Sequence, residues 1–258
     1  MFKIVTTCYN CEAFIKDCIE SILAQKQNDW EMYIFDDAST DNSVEVATEA
    51  ANGDPRVKII KNKINRGAVY NQTYNFIHHA KPDDEDIIVS LDGDDYLINK
   101  HVLCYLKKIY AQGYWLFYGG FIASEKSFYK WAAPDHLTPI DWERSLRNQR
   151  FCITALRSCK YFLFKNVRDK DLRHKNGIVF KFPQDIILFI PMAEMAGEEK
   201  CYFSEKNIYY YRIHNNNDSF INDDERTAIT RDDLSFREEY PRKTKQQLLD
   251  WKCDWSII

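Results

Sequence analysis

Asp86-Ile87-Ile88-Val89-Ser90-Leu91-Asp92-Gly93-Asp94-Asp95 is a short apolar run that ends abruptly in three carboxylates. The run has the length and β-branched content of a strand. Three carboxylates so close together repel one another unless a cation or solvent relieves them. In an extended segment Asp92 and Asp94 point to the same side, and Gly93 allows the chain to turn tightly between them. Hard divalent cations take oxygen ligands, and Mg²⁺ is usually held by one or two carboxylates together with substrate phosphates. An EF-hand loop is excluded, because its sixth and twelfth positions counted from Asp92 are Leu97 and Leu103 instead of Gly and Glu. The competing reading is an acidic solvated turn, which suits the nearby Pro82-Asp83-Asp84-Glu85 well.

Outward from that strand, the first half of the chain alternates. Phe2–Cys8, Glu31–Phe35, Arg56–Lys61, Asp86–Leu91 and Tyr114–Tyr118 read as strands. Cys11–Gln25, Asp41–Asn52, Gly67–Ala80 and Asn99–Gln112 carry the helical period, with Phe14, Cys18 and Ile22 on one face. This alternation predicts an α/β fold: a Rossmann-like, mostly parallel sheet with helices on both faces. Ligands of such sheets bind beyond the carboxyl ends of the strands. The polar clusters Thr6–Asn10, Asp36–Asp41 and Asp92–Asp95 fall at those ends.

The second half is less regular. Helices are predicted at Leu137–Asn148, Ala155–Asn166 and Pro183–Ala196, an extended stretch at Asn148–Thr154, and short strands at Cys201–Phe203 and Ile208–Tyr211. A polar loop spans Asn215–Asp224. A charged helical tail over Ile229–Leu249 precedes Trp251, Trp255, Ile257 and Ile258. Residues 1–220 read as one continuous domain and residues 221–258 as a C-terminal helical extension.

Lys and Arg number 35 against 39 Asp and Glu, a net charge of −4, which argues against a nucleic-acid partner. Apolar residues at 45% and charged residues at 29% exclude disorder and low complexity. No apolar leader opens the chain and no run approaches the roughly 20 residues of a membrane span. A cytoplasmic location is therefore expected, with the eight cysteines as reduced thiols packed like small hydrophobes. Cys8-x-x-Cys11 lacks the second pair that a zinc site requires.

Taken in order, five segments resemble family 2 glycosyltransferases of the GT-A fold. They are Ile4-Val5-Thr6-Thr7-Cys8-Tyr9-Asn10; Ser21-Ile22-Leu23-Ala24-Gln25; Trp30-Glu31 through Phe35-Asp36-Asp37-Ala38-Ser39-Thr40-Asp41-Asn42-Ser43; Asn65-Arg66-Gly67 with Asn71; and Leu91-Asp92-Gly93-Asp94-Asp95. The resemblance covers roughly the first 100 residues. It implies a nucleotide-sugar half over 1–125 and an acceptor half over 126–220. It places Thr7, Tyr9 and Asp37 around the uracil of a UDP-sugar and Arg66 near the nucleotide. It places Asp92, Gly93, Asp94 and Asp95 in the DxD region that holds ribose, diphosphate and Mn²⁺ or Mg²⁺. Breaking a sugar–diphosphate bond develops negative charge that such a cation neutralises.

The family's inverting transfer also implies a base on the acceptor hydroxyl, commonly an Asp opening a helix in the second half. Phe182-Pro183-Gln184-Asp185 fits, because Pro favours the first turn of a helix. Asp185 is the expected base, with Glu194 and Asp171 as weaker candidates and a helix-dipole carboxylate as the plain alternative. Tyr210-Tyr211-Arg212-Ile213-His214 resembles a stretch near the diphosphate. There Arg212 would contact phosphate, and His214 would join Asp92, Asp94 and Asp95 at the metal. The acceptor implied is a glycan, a lipid-linked glycan or a protein. Lys243, Lys245, Lys252, Leu248, Leu249, Trp251 and Trp255 would suit peripheral contact with a membrane surface, or packing on the core or a second subunit. The alternatives are a processive synthase of the same fold, a sugar nucleotidyltransferase, and a non-catalytic relative that binds nucleotide-sugar or glycan. The QxxRW motif and membrane helices that would favour the first are lacking, and Thr6–Asn10 has no glycine for the second.

Overall fold

The computed structural model describes residues 1–124, 138–149, 151–215, 217 and 237–255. Its sheet is built outward from β1 (Phe2–Cys8), flanked by β2 (Trp30–Asp36) and β4 (Ile87–Ser90) in parallel, with β3 (Val57–Lys61) parallel to β2. Beyond β4 the direction reverses. β7 (Arg157–Lys160) runs antiparallel to both β4 and β6 (Leu116–Ala123), and the long β8 (Cys201–Tyr211) runs parallel to β6. The short β5 (Tyr96–Leu97) closes the edge, giving the order β3-β2-β1-β4-β7-β6-β8-β5.

Helices cover both faces, as the alternation predicts. Successive residues of the central strands divide between two cores. Ile4, Met32, Ile34 and Val89 pack with α1 (Ile15–Leu23) and α5 (Val102–Ala111). Val5, Tyr33, Phe35 and Ile88 pack with α4 (Phe76–Ala80) and α7 (Gln184–Ala196). Each such buried Ile, Val or Phe contributes about 1.5–3 kcal/mol. α2 (Ser43–Ala51) packs against α1 and borders β3. α4 continues a helical stretch that opens with α3 (Ala68–Tyr70) and widens to a π turn over Asn71–Asn75.

Four expectations for the second half need correction. The described part of 137–148 forms turns without a helix. Most of the helix expected over 155–166 is replaced, because Arg157–Lys160 joins the sheet between β4 and β6 and only α6 (Tyr161–Phe164) coils. Sheet pairing outweighs weak helical propensity there. The two short strands near the end of the domain are one strand of 11 residues.

The tail is the fourth. Among its described residues only α8 (Lys245–Leu249) is helical, started by a Thr244–Gln247 capping box. The loop expected over 215–224 and the tail before residue 237 fall largely outside the described residues. Tyr240 and Leu248 are buried in the core, and Trp255 packs against Tyr74 and Phe164. Trp255 also donates its Nε1–H to the Val167 carbonyl. Those apolar groups are therefore spent on the domain itself. No helix among the described residues is long and apolar enough to cross a membrane.

Candidate active site

Register brings the polar strand ends together. Cys8 lies beside Asp36, and Val5 beside Ser90, so the chain leaves β1, β2 and β4 at one edge. The Gly93 N–H then donates to the Thr7 carbonyl at 3.1 Å, which lays the Asp92–Asp95 turn across the end of β1. A Cβ at Gly93 would stand 2.8 Å from that carbonyl, so only glycine fits without displacement.

The β1 and β2 ends are stitched by side chains. Asn10 N–H donates to Ser39 Oγ at 2.9 Å, and Thr40 N–H to Asn10 Oδ1 at 2.9 Å. Cys11 N–H donates to Ser43 Oγ at 2.8 Å. This framework holds Thr7, half-buried, and Tyr9, whose ring is 51% exposed, on the rim. Beside them, at the ends of β2 and β3, opens a cleft of about 560 Å³ lined by Ala38, Ser39, Lys61, Asn62 and Lys63.

Asp37 is placed differently from a carboxylate offered freely to a base. Only 4% exposed, it accepts from Asn62 Nδ2 at 2.8 Å and from the N–H groups of Arg66 at 2.9 Å and Gly67 at 2.8 Å. Asn62 and Asn75 in turn donate to Asn71 Oδ1 inside the π turn. Asp37 therefore organises the Arg66–Gly67 loop, and the Arg66 guanidinium lies over the Tyr70 ring at 4.6 Å.

The acidic turn divides into two roles. Asp95 is fully buried, accepting from Tyr209 Oη at 2.5 Å and from Arg212 N at 2.7 Å. Burial, reinforced by the Asp94 and Asp92 charges, pushes its carboxyl well above the usual range. Such a group serves as an anchor for β8. Asp94 does face outward: its Oδ2 lies 3.0 Å from His214 Nε2 and 3.2 Å from Asn217 Nδ2. His214 stacks on Phe14 at 4.6 Å. The Arg212 guanidinium is also placed unexpectedly: it pairs with Asp17 at 2.7 Å and lies over the Phe14 and Tyr96 rings.

No three His, Cys, Asp or Glu side chains among the described residues form a ready-made cation cage. The donor set at the mouth still suits a hard cation. Asp94 and Asp92 are carboxylates at the site edge, and Mg²⁺ or Mn²⁺ sites of this kind are completed by substrate phosphate oxygens. Asp94, with His214 3.0 Å away, could supply one side of such an ion's shell, and Asp92 stands two residues before it.

Asp185 lies in the first turn of α7, with Pro183 at the N-cap position. One carboxylate oxygen accepts from Ile186 N at 2.9 Å, and the other lies 3.3 Å from Arg157 Nη1. Arg157 Nη2 lies 3.6 Å from Asp92 Oδ2. Sequence reasoning missed Arg157, because it sat in a predicted helix; strand register beside Ser90 is what carries it to Asp92. The weaker base candidates are structural. Glu194 is locked to Arg147 by bonds of 2.6 and 2.8 Å and accepts from Tyr240 N at 3.0 Å. Asp171 holds Tyr240 Oη and Arg168.

With this geometry in place, comparison with known proteins is informative. A family profile described as glycosyl transferase family 2 matches residues 3–172. A putative glycosyltransferase, EpsE of Bacillus subtilis (strain 168), is 37% identical over 94 residues, which are 36% of this chain and 32% of that protein. Chondroitin synthase of Pasteurella multocida (strain Pm70) is 34% identical over 97 residues, 38% of this chain and 10% of that protein. The matched stretch thus spans about a third or less of these relatives' own length. Among solved structures, S. aureus TarS 1–349 in complex with UDP-GlcNAc superposes with a TM-score of 0.58 at 18% identity, over 83% of this chain and 58% of that one. The mannosyltransferase PcManGT from Pyrobaculum calidifontis, in complex with GDP-Man and Mn²⁺, gives 0.57 at 16% identity, over 83% and 57%. These superpositions establish the GT-A fold.

Proposed function

The chain belongs to glycosyl transferase family 2 and is a glycosyltransferase, and from that premise we propose that it moves a sugar from a UDP-sugar to an acceptor hydroxyl with inversion. The observation that carries this reading is the convergence of Tyr9, Asp37, Asp94, Asp92 and Asp185 on one edge of the sheet. Residues 1–125 hold the donor and residues 126–220 the acceptor. Complexes of TarS with UDP-GlcNAc and of PcManGT with GDP-Man and Mn²⁺ support a nucleotide-sugar donor. The similarity to chondroitin synthase supports a role in polysaccharide assembly.

Tyr9 offers an aromatic face to the uracil, and the cleft beside Ser39 and Asn62 receives its edge. Asp37 keeps the Arg66 loop in place beneath it. Asp94, Asp92 and His214 would hold Mn²⁺ or Mg²⁺, which offsets the charge that develops on the leaving diphosphate. Asp185 accepts the proton of the acceptor hydroxyl as that oxygen attacks the anomeric carbon. The acceptor is a glycan, a lipid-linked glycan or a protein.

A thermal-shift panel of UDP-sugars with Mn²⁺ tests the donor reading, since ligand binding raises the melting temperature by mass action. At least one UDP-sugar should stabilise the chain, and Asp94→Ala should abolish the Mn²⁺-dependent part. Stabilisation by none, or an unchanged response in Asp94→Ala, would overturn it.

A further inference from the structure

Arg157 is a buried cation at the junction of the two halves of the site. Its side chain is 8% exposed and lies between Asp92, at the end of β4, and Asp185, at the start of α7. Its guanidinium also lies over the Phe189 ring at 5.9 Å. The Nε–H has no acceptor among the described residues, so the two carboxylates and that ring are what the structure shows fixing the group.

A buried guanidinium is costly unless its charge is compensated. Here Asp92 and Asp185 compensate it, and it compensates them. Removing it would leave two carboxylates without their shared cation in a poorly solvated space, where like charges push the side chains apart. Asp185 has its other oxygen on the adjacent Ile186 N–H, while the Oδ2 that faces Arg157 lies 3.3 Å from its Nη1. Lysine is a poor substitute, because a point charge cannot serve two carboxylates in one plane as the fork of guanidinium donors does.

We propose that Arg157 is a positioning residue for glycosyl transfer: bridged to Asp92 in the donor half, it holds the Asp185 carboxylate at the place where the acceptor proton is taken. This rests on the assignment of Asp185 as base. It predicts that the reaction step depends on Arg157 far more than nucleotide binding does, because Arg157 meets the donor side at Asp92 and makes no contact with Tyr9, Asp37 or Asp94 among those described.

The test is a cycle on the full chain: wild type, Arg157→Ala, Asp185→Asn and the double variant. Two quantities are read: UDP affinity by calorimetry with Mn²⁺, and release of UDP from whichever UDP-sugar of the panel the wild type turns over. Arg157→Ala should lower UDP affinity by no more than a few-fold, through Asp92, and lose turnover by about a hundredfold, the scale expected when a reacting group is misplaced by an ångström. Added guanidinium chloride, well below its unfolding range, should recover part of that loss. In the Asp185→Asn background the same substitution should change nothing further, because both act through one carboxylate. If Arg157→Ala does not fold, Arg157→Lys carries the same cycle, with a partial loss expected. Wild-type turnover in a folded Arg157 variant, equal loss of UDP affinity and turnover, or multiplicative effects in the double variant would each overturn the proposal. A wild type that turns over no UDP-sugar would instead overturn the donor assignment, and this inference with it.

Discussion

Gly67 shows how one residue ties the edge beside β2 to the segment that leads into α7. Its φ is +86°, and an added Cβ would stand 2.4 Å from Lys181 Cα, within the segment leading into α7. Its N–H also donates to Asp37. Gly67→Ala should therefore destabilise the fold by about 1–3 kcal/mol or more, from overpacking against backbone that cannot yield. Gly53 is the control: its φ is +72° but nothing lies within 4 Å of an added Cβ. Gly53→Ala should cost only the left-handed backbone term, about 1–2 kcal/mol. Urea midpoints of the two variants measure the difference, and equal losses would refute the close-approach account. At this scale the sequence was informative about identity and weak about orientation. Asp92, Asp94 and Asp185 were visible as carboxylates at element ends. That Asp95 turns inward, that Asp37 is occupied by loop N–H groups and that Arg212 pairs with Asp17 depend on contacts with residues distant in the chain.

Strand pairing in the first half of the chain was legible because each strand is a separate apolar run bounded by turns. The pairing of β1 and β2 carries its own electrostatics. Lys3 lies opposite Glu31 in the register, with Nζ 2.5 Å from the carboxylate, and Lys58 on β3 adds a second contact at 3.2 Å. Burial opposes ionisation of Glu31, but the bonds from Lys3, Tyr33 and Lys58 outweigh it and lower its pKa from 4.5 to about 2. Below pH 4.5 the unfolded chain therefore binds a proton that the folded chain still refuses. The contribution is intact above the ordinary Glu value and is lost as pH falls towards about 2. Urea midpoints should fall through that acid window in the wild type and fall less in Glu31→Gln. Parallel pH curves would refute the assignment. The elements that resisted sequence reading are those decided by pairing. Arg157–Lys160 has no strand-like alternation, and it becomes β7 because β4 and β6 leave a gap that it fills. The tail has a helical period over Ile229–Leu249, yet the described part is held extended by Tyr240 and by the Arg147–Glu194 pair until α8 begins.

Across the described residues, the parallel strands β1, β2 and β4 deliver their polar ends to one edge of the sheet, and the reversal at β7 carries Arg157 back to meet them. α7 points its first turn, with Asp185, at the same place, and the C-terminal strap of Arg237–Trp255 braces α7 and α6 from behind. The net charge of −4 thus has structure within it, since a cluster of acidity gathers where a cation and a diphosphate would meet. The aromatic content divides as well. Tyr33, Tyr118, Tyr209 and Trp30 fill the core, and Tyr9 remains on the rim of the site. The central claim is that this edge transfers a sugar with Asp185 as its base. Asp185→Asn tests it most directly, by UDP affinity and UDP-sugar turnover measured side by side with Mn²⁺. The account predicts unchanged UDP affinity and turnover reduced by about a hundredfold or more, the scale of a lost general base. Turnover at the wild-type rate in a folded Asp185→Asn chain would contradict it.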